Sequence, residues 1–189
     1  HLGKVVEATP QNGWAQTRLA EAMLVAGEID PALRHAEAAV AALPDDPAAR
    51  AVRAAAYFST GRSEAALTDA RAALAADPAQ PLAAQVLVRD RLVAREMEAA
   101  LALIDGFLVR IPDDFELNRL RLGVLAEIQS AARLSAADPS NPELADPELA
   151  AALGAQLVRM TELAPEIPDY WTLLMQWHVQ NGDLRRAFE

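Results

Sequence analysis

GEIDPALRHAEAAVAALPDDP (residues 27–47) and GRSEAALTDARAALAADP (residues 61–78) decide the fold, because the second stretch restates the first 34 residues later. Gly27 and Gly61 open the two stretches, Ala32 and Ala66 follow, then Ala39 and Ala73, and Pro44 and Pro78 close them. The same step extends outward. Pro10, Pro44, Pro78 and Pro112 stand 34 residues apart, Ala100 continues the series of Ala32 and Ala66, and Phe107 lies one step beyond Ala73. Independent positions agreeing on one period mark an internal repeat, in which each unit must bury its face against its neighbours.

Each period reads as two helices. Pro44-Asp45-Asp46-Pro47, Asp77-Pro78 and Pro112-Asp113-Asp114 are loop signals between periods. Gly27 and Gly61 mark the tight turn inside each hairpin. Asp30 is placed to cap the second helix of the first hairpin, with Pro31 in its first turn, where a missing N–H costs nothing. Ala32, Ala66 and Ala100 fall where two helices approach closely. Composition agrees: the chain is 52% hydrophobic but only 5% aromatic, and alanine supplies much of the apolar fraction. Alanine is the best helix former, so the fold class is all-α.

This pattern resembles the tetratricopeptide repeat family. The first hairpin shows Leu19, Gly27, Ala32, Ala39 and Pro44; the second shows Tyr57, Gly61, Ala66, Ala73 and Pro78. The third keeps Leu87, Ala100 and Pro112 but has Arg95 in place of the turn glycine, and the last shows Trp171, Leu174, Gly182 and Ala187. The resemblance implies a right-handed superhelical solenoid of antiparallel helix hairpins, with a concave groove lined mainly by the first helix of each pair.

The register divides the chain into a remnant of a preceding repeat (1–12), regular repeats (13–46, 47–80, 81–114), a longer fourth repeat (115–167) and a shortened last one (168–189). Pro112 and Pro165 are 53 residues apart, which is 19 more than one period, and Gly182 is displaced by the same amount. The insertion is expected near Gln129–Pro147. The first helix of that hairpin should begin near Phe115 and run on through Ile128, Ala131, Ala132, Leu134 and Ala136. Asp138-Pro139-Ser140-Asn141-Pro142 should break it, Asp146-Pro147 should start the next helix, and Glu148–Leu163 should be helical. Leu2, Val5 and Val6 fit the packing side of the remnant. Neither end carries the polar cap with which solenoids normally finish, so the sequence is expected to be a piece of a longer repeat protein. Trp171, Leu174, Met175 and Trp177, with only a stub of helix to cover them, are expected to favour weak self-association.

The chain's chemistry excludes more than it assigns. Its formal net charge is −10 and Lys4 is its only lysine, whereas a nucleic-acid binder needs a basic face. It has no cysteine, hence neither disulfides nor thiolate chemistry. No apolar run approaches the length of a bilayer span. There is no glycine-rich phosphate loop and no nucleophile elbow. His1, His35 and His178 lack metal-ligand spacing. His178 falls where the repeat usually has a tyrosine, so a packed, hydrogen-bonded histidine is expected there, and His35 is expected on the solvent side of its helix. Asp45-Asp46 and Asp113-Asp114 recur at equivalent loop positions, which favours a structural role. A non-enzymatic segment without cofactor or metal is the expectation. The alanine- and arginine-rich, lysine-poor composition suggests a bacterial protein, cytoplasmic or periplasmic.

The resemblance places candidate groove residues at the second, fifth, sixth, ninth, twelfth and thirteenth positions of each repeat. These are Trp14, Thr17, Arg18, Glu21, Leu24 and Val25; Ala48, Ala51, Val52, Ala55, Phe58 and Ser59; and Leu82, Gln85, Val86, Arg89, Leu92 and Val93. Trp14, Arg18, Glu21, Val52, Phe58, Val86, Arg89 and Val93 are the expected partner-binding set. If exposed, they form an apolar strip suited to an amphipathic helix or extended peptide; the alternative is that several only pack against neighbouring helices. One family subclass clamps C-terminal carboxylates with Lys, Arg and Asn. Thr17, Glu21, Val52, Leu82 and Val86 stand at those positions here, which argues against that ligand. The expected function is a protein-interaction scaffold; the alternative is a regulatory or substrate-recruiting region of an enzyme whose catalytic domain lies outside this sequence.

Overall fold

The computed structural model describes residues 11–135 and 146–187. Among them are ten helices and no strand. The helices are α1 (Gly13–Val25), α2 (Ile29–Ala42), α3 (Pro47–Ser59), α4 (Ser63–Ala76), α5 (Pro81–Val93), α6 (Met97–Leu108), α7 (Phe115–Ser135), α8 (Pro147–Leu163), α9 (Pro168–Gln180) and α10 (Leu184–Ala187). The chain divides into two compact units, His1–Glu96 and Met97–Glu189.

Loop chemistry fixes where the helices start. Asn12 Oδ1 accepts from the Ala15 amide at 3.1 Å, and Asp46 Oδ2 from the Ala49 amide at 2.8 Å. Asp114 Oδ1 does the same for the Leu117 amide at 2.8 Å, and Asp146 Oδ1 for the Glu148 amide at 2.9 Å. Each satisfies a donor that the helix leaves without a partner. Pro47, Pro81 and Pro147 occupy first turns directly after such residues. The expectation for Asp30 is corrected: α2 already begins at Ile29 with Glu28 as its N-cap, so Asp30 lies inside the first turn. There its carboxylate faces the positive end of the helix dipole without capping it.

Helix ends are set by one repeated turn. Gly27, Gly61 and Gly182 have φ near +78°, at 79°, 77° and 77°. The residue after each glycine donates its N–H five residues back, as Glu28 to Met23, Arg62 to Tyr57 and Asp183 to His178, at 2.9 Å in all three. That is the glycine-terminated helix stop. Arg95 makes the same turn with φ 62° and the bond from Glu96 to Arg91 at 3.0 Å. The turn therefore survives the loss of its glycine, at the cost of a side chain in left-handed backbone.

In the first unit α1 pairs with α2 and α3 with α4, and α1, α3 and α5 pack side by side. The core is built of small residues. Ala32, Ala66, Ala39, Ala73, Ala20, Ala36 and Ala54 are fully buried where helices cross. Asp69 is also buried, held by Arg53 through two bonds of 2.6 and 2.8 Å that join α3 to α4.

In the second unit α7 packs on α6 and α8, and α8 on α9. Leu125, Leu153 and Leu157 form its centre, with Leu101, Leu122, Leu174 and Trp177 against them. Gln156 is buried and bonds Asn118 on one side and Arg121 on the other, while Arg121 reaches Asp105 at 2.7 Å. This chain of polar contacts ties α6, α7 and α8 together. Helix α7 starts at Phe115 and is 21 residues long, against 13 for α1, α3, α5 and α9. It runs through Ile128, Ala131, Ala132 and Leu134 as expected. Ala136, the break at Asp138–Pro142, and Leu2, Val5, Val6 and Pro10 lie outside the described residues.

Candidate functional site

Side-by-side packing of α1, α3 and α5 means that each repeat position forms a column across three helices. Burial sorts the columns. At the sixth position Arg18 is exposed, but Val52 and Val86 are buried, at 0% and 3%. Neither valine presents a surface, so their expected role in direct contact is corrected. Larger side chains pack on the clusters that hold them: Leu24 and Leu82 on that of Val52, and Phe58 and Leu82 among others on that of Val86. Thr17 and Ala51 are buried too, with the Thr17 hydroxyl donating to the Gly13 carbonyl at 2.9 Å.

What remains open is narrower and lies nearer the helix C-termini. The ninth-position column is Glu21, Ala55 and Arg89. The twelfth is Leu24, Phe58 and Leu92, all half-buried. The thirteenth is Val25, Ser59 and Val93, with the two valines 91% and 76% exposed. Half-buried residues with rigid footing flanked by exposed ones make an apolar strip whose floor is fixed by the valines beneath. At the opposite, N-terminal end of α1 Trp14 is 60% exposed, and the Arg18 guanidinium stands 5.9 Å from the Trp14 ring centroid and 2.7 Å from the Glu21 carboxylate. Arg18 and Glu21 thus neutralise each other, and surface pairs of this kind contribute little to stability.

The histidines differ from expectation in one case. His35 is half-buried, not on the solvent side, and its Nδ1 lies 2.6 Å from Gln16 Oε1 across the first hairpin. Burial, and secondarily the neighbouring Arg34 charge, lowers its pKa below the ordinary histidine value. His178 is packed as expected, but the hydrogen bond expected with it is not made at Nδ1. Its Nδ1 makes no hydrogen bond among the described residues and faces Asp183 at 3.8 Å. No group of three or more acidic or histidine side chains able to hold a metal ion occurs among the described residues. No described helix is long and apolar enough to cross a membrane.

Two features escape a reading of the sequence. One is the buried Arg53–Asp69 pair, whose hydrogen bonds hold the arginine's pKa above its usual value. The other is an open hollow of about 160 Å³ in the second unit, lined by Leu122, Leu153, Leu157, Leu173, Trp177 and three glutamines. On α9, Trp171 and Met175 are exposed at 51% and 42%, while Leu174 and Trp177 turn inward onto the leucine cluster.

Comparison with known proteins agrees with this architecture. The sequence model of the tetratricopeptide repeat family matches residues 1–56. No curated protein sequence matches the chain. Human IFIT1, solved as a dimer with m7Gppp-AAAA, is similar in structure over 98% of this chain, with a TM-score of 0.74 and 17% identity. This chain spans only 43% of that protein. The thermophilic protein TTC0263 of Thermus thermophilus matches over 94% of this chain and 87% of its own, with a TM-score of 0.69 and 18% identity. YrrB, described as having an unusual peptide-binding site, matches over 99% and 87%, with a TM-score of 0.54 and 14% identity.

Proposed function

We propose that this chain, a tetratricopeptide repeat protein by the match of its first 56 residues and by its fold, holds an amphipathic helix of a protein partner across α1, α3 and α5. Protein interaction is the general role that such repeats serve; the strip itself and its ligand are our reading. The observation that carries it is the alignment of Leu24, Phe58 and Leu92, half-buried and one period apart, beside exposed Val25 and Val93. Packed helices lie about 8–10 Å apart. Seven residues of an α-helix rise about 10.5 Å. A partner helix with an apolar side chain every seventh residue therefore meets one column residue per crossed helix. Fully covering an exposed apolar side chain is worth roughly 1.5–3 kcal/mol; the half-buried Leu24, Phe58 and Leu92 gain less, so the exposed Val25 and Val93 must contribute beside them.

The capped RNA bound to IFIT1 does not transfer well to a chain of net charge −10 with one lysine, because phosphate contacts draw their affinity from cationic side chains. Binders are selected from a displayed library of random heptad-patterned helices. They are then tested against the V25E/V93E double variant, in which two exposed valines are replaced and the fold is expected to stay intact. Loss of binding in the folded variant supports the strip; full binding there, or capture of capped RNA in place of helices, refutes it. Sedimentation of the free protein in the same series reports any self-association through exposed Trp171 and Met175.

A further inference from the structure

His178 is a buried titratable group of the second unit that the strip on the first does not involve. It sits near the end of α9 with its side chain 10% exposed. Its imidazole lies edge-on to the Trp177 indole, with ring centroids 5.1 Å apart and planes at 76°. Nδ1 is shut off from solvent and makes no hydrogen bond among the described residues. Buried polar atoms are normally paired, so one that is not requires a physical reason.

The reason lies across the turn that ends α9. Gly182, with φ 77°, turns the chain back, and the Asp183 amide donates to the His178 carbonyl at 2.9 Å. That bond holds the Asp183 side chain beside the imidazole, with Oδ2 3.8 Å from Nδ1. The two carboxylate oxygens have different tasks. Oδ1 accepts from the Arg186 amide at 3.3 Å, in the first turn of α10. Oδ2 has the exposed Arg186 guanidinium at 3.5 Å. At 3.8 Å Nδ1 and Oδ2 are beyond hydrogen-bond reach. A neutral imidazole with its proton on Nε2 turns a lone pair toward the carboxylate, and two acceptors repel. An imidazolium carries a proton on both nitrogens. Its bond to a carboxylate settles at about 2.7–2.9 Å, which asks for a closure of about 1 Å. The terminal carboxylate torsion is soft, so a small turn brings Oδ2 in while Oδ1 stays on the Arg186 amide.

Other charges do not intervene. Helix α9 packs on α8 and α10. The charged residues of α8 are Glu148, Arg159 and Glu162; Arg159 is engaged with Glu162 and Asp113, and none of the three pairs with His178. Helix α10 brings Arg185 and Arg186, of which Arg186 already faces Asp183. On α9 itself Asp169 stands at the far end.

We propose that His178 and Asp183 form a proton-operated latch. In mildly acid solution the imidazolium donates its Nδ1–H to the Asp183 carboxylate and ties the first turn of α10 to the buried side of α9; at neutral pH the latch is open. The hairpin it closes carries the exposed Trp171 and Met175 and the Trp177 indole packed on the leucine cluster. The second unit thereby answers to acid without any part being played by the strip.

The test uses the whole 189-residue chain, isotopically labelled and followed by NMR from about pH 8 to about pH 5, the range over which histidine changes charge. The His178 ring signals and the backbone amides of Gly182, Asp183 and Arg186 should follow one common titration curve. Protection of the Arg186 and Ala187 amides, which donate to Asp183, from hydrogen exchange should rise about two- to tenfold on acidification after correction for the intrinsic effect of pH, the range of one net hydrogen bond. D183N keeps a capping side chain on α10 but no charge, and should abolish both responses while circular dichroism stays helical. H178Q should do the same, and D183N decides where H178Q does not fold. H35Q, on the first unit, should leave both responses intact. Ring signals of His178 that do not change over this range, a titration that leaves residues 182–186 unmoved, a response that survives D183N, or one lost in H35Q overturns the proposal.

Discussion

Replacing Gly154 by alanine sets two effects of opposite sign against each other. Gly154 lies within α8 and is buried. On helix propensity alone, Gly→Ala inside a helix stabilises by about 0.8–1 kcal/mol. Packing points the other way. A Cβ at residue 154 would stand 2.6 Å from Cη2 and 2.8 Å from Cε2 of Trp177, where carbon atoms normally sit about 3.5–4.0 Å apart. The obstacle is a rigid ring packed against Leu125, Leu153 and Leu157, with its Nε1 already shut off from solvent. Forcing extra carbon into a packed site costs about 1–3 kcal/mol, and against a rigid ring the upper half of that range applies, so after the helix gain of about 0.8–1 kcal/mol G154A should lose up to about 2 kcal/mol net. Gly123 is the control. It is exposed on α7 and a Cβ there meets nothing within 4 Å, so G123A should gain about 0.5–1 kcal/mol.

For a chain of this size 1 kcal/mol moves Tm by roughly 2–4 °C. Differential scanning calorimetry should therefore show G154A melting below the parent, by up to about 8 °C, and G123A melting above it. The cycle closes with W177A. Once the indole is gone the obstruction is gone, and G154A in that background should be neutral or stabilising. A G154A that melts above the parent, or a penalty unchanged without Trp177, would refute the close contact between α8 and α9.

Three further substitutions probe other contacts. D69N leaves Arg53 facing a neutral amide; breaking a buried pair costs about 3–5 kcal/mol, and because the arginine side chain is 24% exposed a loss of roughly 1–3 kcal/mol is expected in the urea midpoint, an unchanged midpoint counting against the pair. R95G removes a side chain from left-handed backbone, which costs about 1–2 kcal/mol, and adds glycine's entropy cost of about 0.5–1 kcal/mol; a small net rise in Tm is expected, and a fall would show that the arginine's own contacts outweigh the strain. For His35 the folded-state pKa is lowered by burial and Arg34. The unfolded chain then binds the proton more readily, so stability is retained above the ordinary histidine pKa near 6.5 and falls as pH drops below it. H35Q should show a shallower loss of Tm between neutral and mildly acidic pH; an identical pH profile would mean that His35 is not the group responsible.

The repeat is legible in the sequence because its signals are local. A turn with φ near +78° selects glycine wherever it occurs, and a helix start selects Asp, Asn or Pro, so a fixed structural unit prints a fixed spacing into the chain. Even Arg95, which breaks the letter pattern, sits at the place the spacing requires and makes the same backbone bond. Exposure is less legible because it depends on what lies across from a residue. Arg18, Val52 and Val86 share one repeat position, yet only Arg18 is open; Leu24, Leu82 and Phe58 cover the regions of the two valines. Asp69 does not stand out among 27 acidic residues, since its partner is 16 positions away on another helix.

The hollow is hidden from the sequence for a related reason. It needs the indole of Trp177 close against a glycine of α8, leucines from three helices, and glutamines from α7 and α9. By sequence alone Trp177 reads as an exposed, sticky side chain, and Leu174 with it; both turn inward, and the exposed face of the helix is carried by Trp171, Leu173, Met175 and Val179. A helical period alone permits either rotation of α9 about its axis. What selects the observed one is Gly154, since any larger residue there would push the indole out of the leucine cluster. The hollow and the predicted G154A penalty therefore have one cause, and a variant that tolerates alanine at 154 would remove the physical basis for both.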